Sequence, residues 1–100
     1  MTKTKEDIIS DITNYVANYG GRYSSWYVGI SNDGRQRLFN GHNVSEGNDP
    51  WIYRQASSHQ VARAIEQYFI DICGTDGGTG GGDTSSDIVY AYKKAAHTRP

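Results

Sequence analysis

The residue pattern predicts an α+β fold, a small three-stranded sheet with three helices packed on it. Two observations carry that reading. Apolar residues fall at helical spacing in 4–19 and again in 58–72, the mark of helices with one buried stripe. Between and after them lie three short runs, 26–30, 51–55 and 87–93, made of alternating or β-favouring side chains. A chain of 100 residues makes one domain with a core of modest size.

Taken in order, residues 1–3 are expected to be disordered. Thr4 with Asp7 resembles a capping pair, and Ile8, Ile9, Ile12, Tyr15, Val16 and Tyr19 form the stripe of a first helix that stops at Gly20-Gly21. In Trp26 to Ile30, Trp26, Val28 and Ile30 alternate with Tyr27 and Gly29, so this is a half-buried strand. Asn32 or Asp33 can cap a short helix running from about Asp33 to Phe39. A hairpin through Asn32-Asp33-Gly34 is the alternative, since Asp-Gly is a strong turn signal. The helix is preferred because Arg-Gln-Arg-Leu-Phe lacks alternation and is rich in helix formers.

Residues 44–50 read as a loop, and Trp51 to Gln55 as a strand. Ser57 or Ser58 caps the strongest helix, expected over 58–72 with Val61, Ile65, Tyr68, Phe69 and Ile72 buried and Gly74 ending it. Residues 75–86 hold five glycines and no apolar side chain, and are expected to be irregular. Residues 87–93 form the last strand, with Ile88, Tyr90 and Tyr92 on one face, and 95–100 is a tail expected to fray.

Composition narrows function by exclusion. A net charge of −1 argues against tight nonspecific nucleic-acid binding and leaves room only for a local patch. The single Cys73 excludes an intramolecular disulfide and suits a reducing compartment. No run reaches membrane-spanning length and no charged-then-apolar leader is visible, so a soluble cytoplasmic protein with no membrane partner is expected. Eight of the twelve aromatics are tyrosine, which supplies apolar area together with a hydroxyl that can do chemistry.

Four side chains are candidates, each beside a plainer reading. Glu66, at about 100° per residue, lies beside Ala62, Ile70 and Cys73 on the shoulder of the long helix's stripe. It should be partly desolvated and answered by a cation, most simply Arg63. Tyr27 faces away from Trp26 and Val28, either as an ordinary amphipathic strand residue or with its hydroxyl in a cleft. Arg37 is a solvated helix-face arginine or a planar clamp for phosphate. His42 and His59 are isolated and lack the spacing of a zinc site; His42 follows the short helix, while His59 in a first turn is expected to face water. The run of glycines at 77–82 lacks the Gly-Lys-Ser/Thr ending of a phosphate loop and leads into a strand, so a mobile loop is expected.

Together these pieces resemble the GIY-YIG nuclease superfamily. Tyr27-Val28-Gly29 is similar to the second half of its signature. Ile30-Ser31-Asn32-Asp33 leads into a helix whose arginine matches Arg37, with Leu38 next and His42-Asn43 trailing; Ala62 and Glu66 match the later helix. The resemblance spans about 26–70 and implies metal-dependent phosphodiester hydrolysis on DNA. It gives Tyr27 the attacking water, Arg37 the charge on the transferring phosphate, His42 a place in the catalytic set, and Glu66 one Mg²⁺ or Mn²⁺. The first half of the signature, Gly-Ile-Tyr, is missing ahead of Tyr27; the Arg37 to His42 spacing is one residue longer, and the late asparagine has no clear counterpart. A resolution suggested by the residues is that the last strand pairs beside Trp26 to Ile30, bringing Tyr90 or Tyr92 to the place of the absent tyrosine. The competing classes are a non-catalytic module binding protein or nucleic acid through exposed tyrosines, and a small regulatory or phage-type protein alike only in architecture.

Overall fold

Thr4 starts the chain's first helix as the sequence predicts: its hydroxyl accepts the Asp7 N–H at 3.1 Å, and α1 runs over Lys5–Tyr19. Ile8, Ile12 and Val16 are its buried residues, and Gly20 and Gly21, at φ 78° and 90°, turn the chain away in a conformation other residues adopt only with strain. The computed structural model describes residues 2–78 and 84–100.

Strand β1 (Trp26–Ser31) leads into α2 (Gly34–Gln36), whose Asp33 cap accepts the Gln36 N–H at 3.1 Å. The helix forms and the alternative hairpin does not. It continues through one wide turn, Arg37–Gly41, closed by a bond from His42 N–H to the Arg37 carbonyl five residues back, at 2.9 Å. Strand β2 (Trp51–Gln55) follows the loop. Ser58 caps α3 (His59–Gln67), which also ends in a wide turn, Tyr68–Cys73, before Gly74 at φ 91°. That second wide turn corrects the predicted stripe. Val61, Ile65, Tyr68 and Phe69 face the core, but the looser winding rotates Ile72 outward, where it is 73% exposed.

Strand β3 (Ile88–Lys93) is last in sequence and central in space: the sheet order is β1-β3-β2, with both pairings antiparallel. Register then sorts the side chains. Val28, Ala91 and Ile52 share one row, and Ile30 and Val89 the next; α1 and α3 cover that face with Ile8, Ile12, Ala62, Ile65 and Phe69. On the other face Tyr27, Tyr92 and Trp51 make one row, and Gly29, Tyr90 and Tyr53 the next. This aromatic face is closed by Leu38, Phe39 and Val44. Among the described residues no helix is long and apolar enough to cross a membrane.

Three segments differ from the sequence reading. Lys3 is held, its N–H bonded to the Gln55 carbonyl at 2.9 Å beside the outer edge of β2. Thr75 to Gly78 is ordered along the outer edge of β1, where Asp76 exchanges backbone bonds with Trp26 and Val28 at 2.8 and 3.0 Å. Both additions occupy backbone groups that would otherwise invite pairing with another chain. The rest of the predicted glycine loop, 79–83, lies outside the described residues. Lastly, 95–100 does not fray: Thr98 is buried and Arg99 bonds to His42 through its backbone in both directions.

Candidate active site on the aromatic sheet face

Gly29 shows how closely this face is built. It pairs with Tyr90, and a Cβ at Gly29 would lie 2.5 Å from the Tyr90 Oη and 2.6 Å from its Cζ. The absent side chain is what lets the Tyr90 ring lie across β1. Tyr27, one residue earlier in β1 than Val28, stacks on Tyr92 and Tyr90 with ring centres 5.3 and 6.2 Å away.

His42 stands at the end of the wide turn after α2 and packs on all three phenol rings. Its Nδ1 is 2.6 Å from the Arg99 carbonyl and its Nε2 is 2.7 Å from the Tyr90 Oη. A carbonyl can only accept, so Nδ1 carries the hydrogen of the neutral ring and Nε2 is left with a lone pair. The Tyr90 hydroxyl therefore donates to His42 Nε2. Tyr92 Oη, at 3.1 Å from Nδ1, accepts a share of the same N–H. The result is a directed chain: Tyr90 hydroxyl, imidazole, Arg99 carbonyl.

Electrostatics set the resting protonation. Burial and the neighbouring Tyr27 push the Tyr90 phenol far above the ordinary tyrosine range, and Tyr92 likewise. Tyr27 is also raised, by burial and by the negative charges of Glu66 and Asp76, while Arg37 and the Gly78 amide pull it back. Burial holds His42 below the ordinary value of 6.5; the Arg99 carbonyl opposes this and the Arg37 charge adds to it. A depressed value in the folded state means the fold prefers the neutral ring. Its stabilising contribution is complete above pH 6.5 and is lost as pH falls through the folded value. Thermal melts are expected to weaken as pH falls below about 6.5, with a slope of at most about 1.4 kcal/mol per pH unit from this one proton. The His42→Gln variant should lose that part of the slope; an unchanged slope would assign the pH dependence to other groups.

Arg37 is exposed and lines an open cleft of about 340 Å³ with Gln36, Asn40 and Gly41. Its charge acts on Tyr90, Tyr27 and His42 alike. A Cβ on Gly41 would sit 3.0 Å from Arg37 Cδ, so the glycine leaves the arginine stem room to lie along the turn.

Glu66 is placed differently. It is 1% exposed on α3, with Oε1 paired to Arg63 Nη1 at 2.9 Å, the salt bridge expected from spacing. Burial raises its pKa, favouring the neutral form, and Arg63 counters this. Its field reaches Tyr27, but its carboxylate is closed to solvent. Oε2 is buried with no hydrogen-bond partner, as is Thr75 Oγ1. An orphan carboxylate oxygen is a hard donor that suits Mg²⁺ or Mn²⁺. Among the described residues no three His, Cys, Asp or Glu side chains gather around one point, so Glu66 would be a single protein ligand, and its closure against Arg63 leaves the carboxylate without an opening for water or phosphate as it stands.

Of the residues singled out from sequence, Tyr27, Arg37 and His42 meet, and Tyr90 and Tyr92 join them because β3 pairs along β1 as suggested. His59 is half-buried instead of open, its Nδ1 3.2 Å from the Ser86 carbonyl. Arg99 carried no signal in the sequence, since it acts through its backbone. The chain matches no protein-family model, no curated protein and no solved structure.

Proposed function

We propose that this chain is a phosphodiester hydrolase acting on DNA, of the kind the GIY-YIG resemblance implies. The observation that carries the reading is the Tyr90 hydroxyl 2.7 Å from His42 Nε2, with the Arg37 charge acting on both groups. A phosphate docked on the exposed Arg37 would approach a phenol that is 1% exposed and already has an acceptor for its proton. Tyr27, half-buried and next to them, orients the attacking water. Tyr90 takes the water's proton as its own passes to His42 while the P–O bond to the leaving oxygen breaks and that oxygen takes a proton from solvent, so neither phenol has to exist as a free phenolate. Arg37 offers its planar fork to the negative charge that builds on the phosphate oxygens. Glu66 would hold Mg²⁺ or Mn²⁺ through Oε2 only where its pair with Arg63 opens to admit the ion and its water. When bound, the ion supplies positive charge to the transferring phosphate and lowers the pKa of a bound water.

The second reading is a non-catalytic module that keeps the scaffold and binds nucleic acid or protein. The closure of Glu66 against Arg63, away from solvent, favours it. Incubation with supercoiled plasmid and single-stranded DNA, with and without Mg²⁺ or Mn²⁺, separates the two. Hydrolysis predicts metal-dependent nicking that slows by about 10²-fold in Arg37→Ala. Binding without cleavage under every condition selects the second reading.

A further inference from the structure

We propose that the segment 95–100 is a positioning element of this site, and that the Arg99 backbone carbonyl selects the His42 tautomer able to receive the Tyr90 proton. The inference rests on the proton-moving reading above and extends it to a part of the chain that the family resemblance does not cover. Four features hold the segment in place. Arg99 clamps His42 at two points, its N–H on the His42 carbonyl at 2.8 Å and its carbonyl on the ring Nδ1 at 2.6 Å. Asn43 reaches across from the same turn and donates from Nδ2 to the His97 carbonyl at 3.0 Å. The Thr98 side chain, 8% exposed, closes a tight turn on Ala95: its hydroxyl accepts from the Ala95 N–H and donates to the Ala95 carbonyl, both at 2.9 Å. His97 pairs with Asp49.

None of this builds core. Ala95, Ala96, His97, Arg99 and Pro100 are all exposed, so the segment's order serves something other than apolar burial. What it delivers is one acceptor, aimed at one ring nitrogen. Without it, Nδ1 and Nε2 compete for the single proton of the neutral ring, and any ring with hydrogen on Nε2 cannot accept from Tyr90. A third group that fixes the tautomer of a proton-accepting histidine is a recurring device; here a main-chain carbonyl takes the role a carboxylate fills elsewhere.

The test uses the full chain. Asn43→Gly with Thr98→Ala loosens the segment and keeps the φ of 59° that Asn43 adopts, while Arg99→Ala retains the carbonyl and serves as the control. Nitrogen NMR of the His42 ring reads the tautomer without any DNA present. The wild-type chain and Arg99→Ala should show a protonated Nδ1 and an unprotonated Nε2; the double variant should show both nitrogens averaged, at an unchanged far-ultraviolet spectrum. Cleavage by the double variant should fall about tenfold to a hundredfold in kcat with little change in KM. A double variant that keeps the pure tautomer overturns the proposal, as does a control that loses it equally, or a tautomer shift without loss of kcat. If the wild-type chain shows the tautomer but cuts no DNA, the hydrolase reading fails, and the catalytic half of this proposal with it; the tautomer result separates that outcome from a failure of the positioning.

Discussion

Glu66→Gln is expected to end metal-dependent cleavage while leaving the fold nearly as stable as before. The glutamine keeps the volume and one oxygen for the Arg63 guanidinium, which is 2.9 Å from Oε1, but removes the charge a divalent ion needs. Stability should change by no more than about 1 kcal/mol, because burial already pushes the carboxyl toward its neutral form and Oε2 has no partner to lose. Glu66→Ala separates charge from packing. It leaves a void and removes the Glu66 charge from beside Arg63, which at 24% exposure can turn to water, so the cost should be about 1–3 kcal/mol. Plasmid nicking and thermal melts measured on the same preparations give both numbers. Cleavage that survives in Glu66→Gln would remove Glu66 and its metal from the mechanism.

Tyr90→Phe should lower the cleavage rate by about 10²–10⁴-fold, since it deletes the only hydroxyl that donates to His42 Nε2 among the described residues. The ring itself still fits over Gly29, so the sheet keeps its register, and the cost is a buried imidazole nitrogen left without a donor, about 1–3 kcal/mol. Tyr92→Phe is the contrast. Its hydroxyl shares a hydrogen that the Arg99 carbonyl already holds at 2.6 Å, so its loss should slow cleavage less than about tenfold. Equal losses in the two variants would mean that the phenols act only as packing for His42, and the directed chain from Tyr90 would be wrong.

The local elements were legible because their causes are local. Thr4, Asp33 and Ser58 each cap a helix with their own side chain, and the glycines that end α1 and α3 take positive φ. Glu66 could be placed on the shoulder of α3 and matched with Arg63 because both lie within one turn. Ile72 shows where that reasoning stops. A wheel drawn at constant pitch buries it, and a single looser turn exposes it. The tail was misread for a related reason: an exposed, polar run carries no periodic signal even when hydrogen bonds hold it.

Side-chain chemistry and spacing along the chain were enough to determine the α+β class, the helix caps, the three strands and a short list of reactive residues. Tertiary structure alone decided that the last strand lies between the first two, that His42 packs on three tyrosine rings, and that the Arg99 carbonyl meets its Nδ1. Those three outcomes depend on contacts between residues 33 to 67 positions apart, made by strand register and a backbone carbonyl. Neither quantity is written in the identity of any one residue.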